Sequence, residues 1–243
     1  MDRLIYTAAS GARALMQRQD TLTHNLANAN TPGFRADEVA FRAVPVRGDG
    51  ASTRVAAIEA TAGFADRAGP VQTTGRDLDV ALPAGGWFAL QAPDGTEAYT
   101  RHGGFALTPE GALVAYNGWP VVGEGGPIEI PAGSTVSFGA DGTVTATPPG
   151  GQPQALGRLK LVDPPAGELR KGPDGLMRTL GGEPAEAAAG VRVQAGALEG
   201  SNVSVIESMV GMIAAARQFE TQMKLLQNAE QNDQRAAQLL AQH

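Results

Sequence analysis

Apolar residues recur at alternating spacings of four and three along the first 26 positions. Met1, Ile5, Ala8, Ala12, Leu15, Leu22 and Leu26 form the series, and Gln19 is its one polar member. Heptad spacing of this kind predicts a helix over residues 1–29 with one narrow apolar stripe. A second series runs through Val205, Met209, Met212, Ala216, Phe219, Met223 and Leu226. It weakens at Glu230 and Asp233 before Ala237 and Leu240. This predicts a helix within residues 201–243. Ser201, Asn202 or Ser204 can cap its start, and Glu207 stands three residues after Ser204, as a capping box requires.

Between Pro32 and Gly200 the period changes from helical to alternating. Asp94-Gly95, Asn117-Gly118 and Asp141-Gly142 each lie between short apolar runs, which predicts hairpin turns with positive φ. Leu113 and Ala115 alternate with Val114 and Tyr116; Thr143, Thr145 and Thr147 alternate with Val144 and Ala146. Residues 77–82, 87–91 and 158–162 also read as strands. Pro and Gly recur too often here for long helices. The expected fold class is therefore α+β. Long N- and C-terminal helices pair in a coiled-coil-like terminal domain, and a mainly antiparallel β domain is inserted between them. The expected divisions are an N-terminal helix at 1–29, an extended connector at 30–70, a β-rich domain at 71–185, a return linker at 186–200 and a C-terminal helix at 201–243. An isolated helix with one narrow stripe is marginal in water. The helices must pair, meet copies of themselves, or fold back as a hairpin on their own β domain.

Composition narrows the chemistry. The chain has 243 residues, no cysteine and a net charge of -6. That balance speaks against a general binder of nucleic acid or anionic membrane, which needs clustered Lys and Arg. Without cysteine there is no disulfide, thiol catalysis or zinc-thiolate site. No basic, apolar leader opens the chain, and no 18-residue apolar run is present, so neither a cleaved secretory signal nor a membrane-inserted span is expected. His24, His102 and His243 are scattered without metal spacing. Asp77 and Asp79 in "GRDLDVAL" would share one strand face, but a turn carboxylate and an exposed strand carboxylate explain them. "GEGGPI" at 123–128 lacks the following helix that a phosphate loop needs. No catalytic, cofactor or metal site, and no small-molecule substrate, is expected.

The stretch "NLANANTPGF" at 25–34 closes the first helix. Asn28 and Asn30 suit a helix end, Thr31 is held extended by the proline after it, and Pro32-Gly33 fits the centre of a type II turn, with Phe34 as an anchor. A helix stop alone leaves Asn25 unexplained. This stretch after a heptad helix resembles the signature of the bacterial flagellar axial proteins, the rod, hook and hook-associated subunits. "LEGSNVSVIESMVGMIAAARQFETQMKLLQ" at 198–227 is similar to their C-terminal helix. The middle motifs "FRAVPV", "GWFALQ", "YTRHG" and "GRLKLV" favour a basal-body rod subunit over a distal rod or hook subunit.

The resemblance implies a structural, non-enzymatic subunit of a hollow drive shaft that transmits motor torque. It implies export by the flagellar type III apparatus without a cleaved signal, and a place in the rod crossing the periplasm. Partners would be proximal and distal rod proteins and the chain itself. The terminal helices would line a central channel, with the β-rich domain facing outward. The implied subunit-interface residues are Ile5, Ala8, Ala12, Leu15, Leu22, Asn25, Leu26, Asn28, Asn30, Pro32, Gly33, Phe34, Val205, Met209, Met212, Ala216, Phe219, Met223 and Leu226, with Asn25 and Asn28 bonding across helices. An envelope enzyme with helical oligomerisation arms is the remaining alternative, and no nucleophile–base set supports it.

Overall fold

The computed structural model describes the backbone of residues 2–45 and 55–240, and side chains within 8–42, 44, 63–232 and 234–235. The class is α+β, and the chain divides into two units. One comprises helix α1 (Asp2–Ala27), strands β1 (Asp37–Pro45) and β2 (Val55–Phe64), and helix α2 (Val205–Leu240). The other comprises residues 28–36 and 65–203 and is almost entirely β.

In the helical unit the apolar stripe of α1 is used on α2. Ala8 and Ala12 are buried, and Leu15, Leu22 and Leu26 are half-buried, while Gln19 is exposed. The facing side of α2 carries Ser208 and Ala215 as buried residues and Gly211, Met212, Phe219, Gln222 and Leu226 as half-buried ones. Two glycines set the helix approach. A Cβ on Gly211 would stand 3.1 Å from Leu22 Cδ1, and one on Gly11 would stand 3.0 Å from Gln222 Nε2. Gln222 Nε2 donates to the Ala8 carbonyl at 3.3 Å. Ser204 caps α2, accepting from the Glu207 amide at 3.3 Å.

The stretch expected as one connector, 30–70, is split between the two units. Residues 37–45 and 55–64 pair as an antiparallel ladder, from Asp37↔Phe64 to Pro45↔Val55, with a bulge between Ala40 and Phe41. Backbone donors and acceptors left unpaired are costly, and the ladder satisfies them. Residues 28–36 fold with the β unit instead.

The β unit is assembled from short strands. Its largest sheet has five, in the order Leu161–Val162, Trp87–Gln91, Glu97–Thr100, Met177–Thr179 and Leu169–Lys171, and its strand pairs are antiparallel. A three-stranded sheet (Thr135–Phe138, Thr143–Thr147, Gln154–Arg158) lies in the same unit. Alternation decides which side chains enter the core. Val136, Phe138, Val144 and Ala146 are buried while their strand neighbours Thr135, Ser137, Thr143 and Thr145 are not. Phe105 centres the cluster, edge-on to Phe88 at 5.2 Å and tilted against Phe138 at 6.2 Å.

The hairpin turns correct one expectation. Only the glycines adopt positive φ (Gly95 81°, Gly118 79°, Gly142 88°), and among the described residues no other residue type does. The Asp or Asn before each glycine works through its side chain. Asp94, Asn117 and Asp141 each accept from the amide two residues on, that of Thr96, Trp119 and Thr143. Each glycine amide bonds the carbonyl three residues back, and that residue's own amide bonds the residue after the glycine. These are three-residue loops with a glycine bulge rather than two-residue turns. Asp174-Gly175 repeats the pattern.

The 77–82 run is likewise not one strand. Asp79 closes a turn onto the Arg76 carbonyl, and only Val80–Ala81 is a strand.

Candidate assembly surface

The β unit joins three passages of chain that are far apart in sequence. Gly33 occupies the third position of a turn, with φ of 68° and the Phe34 amide bonded to the Thr31 carbonyl at 3.2 Å. A Cβ there would overlap the Arg101 carbonyl carbon and the His102 nitrogen. The Gly33 amide donates to the Glu199 carbonyl at 2.7 Å. Phe34 is buried, with Lys171 Nζ 3.9 Å from its ring centroid and donating to the Arg35 carbonyl at 2.9 Å.

Glu199 is the hub. Its carboxylate is 0% exposed. Oε1 accepts from Arg35 Nη1 at 2.7 Å and from the Gly69 amide at 2.8 Å. Arg101 Nε lies 2.8 Å from Oε2, as an ion pair without hydrogen-bond alignment. Arg101 also donates through Nη1 to the Gly86 carbonyl and through Nη2 to that of Leu82 at 3.3 Å. Both guanidiniums lie near the Trp87 ring, at 5.9 Å for Arg35 and 5.7 Å for Arg101. Burial pulls the Arg101 guanidinium below the usual arginine range, and the Glu199 charge opposes that pull. Asn202 completes the junction. Its Oδ1 accepts from the Ala36 amide at 2.7 Å, and its Nδ2 donates to the carbonyls of Ala65 and Arg67 at 2.9 and 2.7 Å. Residues 28–36 and 198–203, from opposite ends of the sequence, thus meet at one buried charged centre. Sequence spacing carries no sign of this centre, because Arg35, Arg101 and Glu199 are distant along the chain.

The helical unit explains Asn25. It is 6% exposed, and its amide makes both strand-like bonds to one residue. Oδ1 accepts from the Asp37 amide at 2.8 Å, and Nδ2 donates to the Asp37 carbonyl at 3.0 Å. Its side chain substitutes for a neighbouring strand at the start of β1. His24 Nδ1 lies 2.5 Å from Asp37 Oδ2 beside it.

The remaining residues proposed for contacts are placed as follows. The Ile5 side chain lies outside the described residues. Asn28, Pro32 and Gly33 are half-buried and Asn30 is exposed. Val205, Met209, Ala216 and Met223 are exposed on α2. Among the described residues the most exposed large apolar side chains of that helix sit one position away from this series: Ile206 at 76%, Val210 at 61% and Ile213 at 56%. Their own i, i+4, i+7 spacing is the signal that could have found them.

The residues considered for catalysis are accounted for by structure. Asp79 is buried and accepts from Thr74 Oγ1 at 2.7 Å and Arg76 Nη1 at 2.8 Å, while Asp77 is exposed. His102 Nδ1 accepts from the Gly104 amide at 3.1 Å and its ring lies 4.4 Å from that of Tyr116. Burial lowers its pKa. Among the described residues no group of three His, Asp or Glu could hold a metal, and no helix is long and apolar enough to cross a membrane.

The chain is 45% identical to the flagellar basal-body rod protein FlgF of Salmonella typhimurium, and 43% identical to that of Escherichia coli, over 99% of each chain. The chain belongs to the FlgF family of flagellar basal-body rod proteins. Three family descriptions match successive parts of it: "Flagella basal body rod protein" over residues 5–35, "Flagellar hook protein FlgE/F/G D1 domain" over 81–146, and "Flagellar basal body rod FlgEFG protein C-terminal" over 194–239. In this FlgF-family chain the first match spans most of α1 and the turn at Gly33, and the last spans Glu199, Asn202 and most of α2. A FlgG rod protein of Bacillus subtilis is more distantly similar, at 29% identity over 95% of this chain and 96% of its own.

Proposed function

We propose that this chain is a structural subunit of the flagellar basal-body rod, joining other rod subunits and copies of itself in a helical, hollow shaft that passes torque to hook and filament. The observation that carries the reading is the exposed apolar stripe Ile206, Val210 and Ile213 on a helix whose opposite side is already used on α1. Three exposed apolar side chains in one stripe are a contact waiting for a partner. Membership of the FlgF family supplies what it is a contact for. Head-to-tail contacts that do not close build helical assemblies. Many apolar contacts in parallel, each worth about 1.5–3 kcal/mol per buried side chain, suit a shaft under torque.

In this reading α1 and α2 pair in a coiled-coil manner within each subunit. The interface draws on the residues of both helix series, with Leu15, Leu22, Met209, Phe219 and Leu226 among them. Location follows from the assembly: the chain resides in the basal body, in the part of the rod that crosses the periplasm. It reaches that place through the flagellar type III export apparatus. The role is architectural rather than enzymatic.

The test is incorporation. Val210→Asp places a charge on the exposed stripe and leaves the α1–α2 contact untouched. In a strain lacking the native gene, it is expected to give a folded protein, no motility and basal bodies devoid of the chain. Leu22→Asp is expected to fail as well, with loss of the helical unit. Full motility with Val210→Asp would defeat the reading.

A further inference from the structure

The helical unit carries a groove of about 550 Å³ where α1, α2 and β1 adjoin. Its apolar lining includes Ala14, Leu15 and Phe41, and its charged rim is Arg18 and Arg217. Phe41 is 37% exposed, although it is aromatic. Among the described residues neither arginine has an ion-pair partner and no carboxylate lines the groove. In a chain of net charge -6, an apolar trough bounded by two unpaired cations selects an apolar segment that brings an acid.

The same unit exposes such a segment. Ile206, Val210 and Ile213 are 56–76% exposed, and Glu207 beside them is exposed with no ion-pair partner among the described residues. We infer that the Ile206–Ile213 stripe of one copy seats in the Ala14–Leu15–Phe41 groove of a second copy, with Glu207 meeting Arg18 and Arg217. This rests on the rod-subunit reading and names the contact between successive copies. The contact is heterologous: stripe and groove are different surfaces, so a copy that has given its stripe still offers its groove, and addition can continue.

The absence of cysteine allows cross-linking without background. Two full-length variants of different tag size, Val210→Cys and Phe41→Cys, are mixed and oxidised with diamide. A mixed disulfide dimer is expected about tenfold above a control that pairs Val210→Cys with Tyr116→Cys, since Tyr116 is exposed in the β unit (53%). Adding Arg18→Glu and Arg217→Glu to the groove variant should cut the yield about tenfold, and Glu207→Arg in the stripe variant should restore it. A yield at control level, or one indifferent to the charge reversals, overturns the contact. The doubly substituted chain, Val210→Cys with Phe41→Cys, is then expressed in cells and read in purified basal bodies. Chain present there without a link between its copies overturns the second copy as occupant while the rod reading stands. Wild-type chain absent from basal bodies removes the rod reading, and this contact with it.

Discussion

Arg35 Nη1 and Glu199 Oε1 lie 2.7 Å apart although their residues are 164 positions apart in the chain, and both side chains are at most 1% exposed. Such a pair is costly to desolvate and costlier to break. Glu199→Gln leaves two buried guanidiniums without their counter-charge and is expected to destabilise the β unit by about 3–5 kcal/mol. Urea unfolding followed by Trp87 emission in a Trp119→Phe background measures this. The joint replacement Arg35→Met, Glu199→Leu and Arg101→Met is expected to cost less than Glu199→Gln alone, because no charge is left unpaired, although the Gly69 amide and the Leu82 and Gly86 carbonyls lose their partners. A mild effect of Glu199→Gln alone would contradict the central role of the pair.

Gly33 and Gly75 separate conformational strain from collision. Both have positive φ, 68° and 72°, but a Cβ on Gly75 meets nothing within 4 Å, whereas one on Gly33 overlaps the Arg101–His102 backbone. Gly75→Ala is expected to cost about 1–2 kcal/mol, the left-handed penalty alone. Gly33→Ala should cost clearly more. Chemical denaturation of the two variants side by side decides it, and equal losses would refute the packing account.

Asn25→Ala removes the one side chain that serves both polar groups of Asp37. The backbone pair it leaves unbonded predicts a loss of about 1–3 kcal/mol, confined to the helical unit. Hydrogen exchange at the Asp37 amide should accelerate, while amides of the main β sheet keep their protection. Unchanged exchange at Asp37 would show that the amide is bonded elsewhere.

Tyr99 carries a pH signature. Its hydroxyl pKa is raised to about 12, chiefly by burial, with Glu97 adding to the rise and the Ala185 amide opposing it. The hydroxyl accepts from that amide at 2.7 Å and donates to Glu97 Oε2 at 3.0 Å. A folded-state value above the unfolded value near 10 means the unfolded chain loses its proton first. The stability contributed by the neutral hydroxyl is therefore complete below pH about 10 and is lost as pH rises towards about 12. Burial also raises the Tyr116 hydroxyl, so ultraviolet tyrosinate absorbance should show a late phase near pH 12 that vanishes in Tyr99→Phe while the Tyr116 phase remains. Titration of all three tyrosines together near pH 10 would disprove the burial account.

Much of the fold was legible because it is local. A 3.6-residue period marks α1 and α2 wherever it occurs, and alternation in Thr143–Thr147 marks a strand face without knowledge of its partner. The Asn-Gly and Asp-Gly turns were readable as turns. Their type was not, because it depends on where the flanking strands stop pairing. The phase of the α2 stripe was half readable. Met212, Phe219 and Leu226 face α1, but Val205, Met209 and Met223 are exposed, because the small residues Gly211 and Ala215 define the near side. Apolar spacing counts large side chains and is blind to close approach by small ones.

What the sequence determined by itself was the order of helix, β unit and helix, the lack of thiol chemistry, and the two terminal signatures whose likeness to flagellar axial proteins led to the family. Those properties belong to neighbouring residues or to composition. The tertiary structure alone decided that Arg35, Arg101 and Glu199 share one buried centre, that Asn25 is spent on Asp37, and that Arg18, Arg217 and Phe41 bound one groove. Each joins residues whose separation along the chain carries no period. Only the packed chain brings their charges and amides within the few ångströms at which they act.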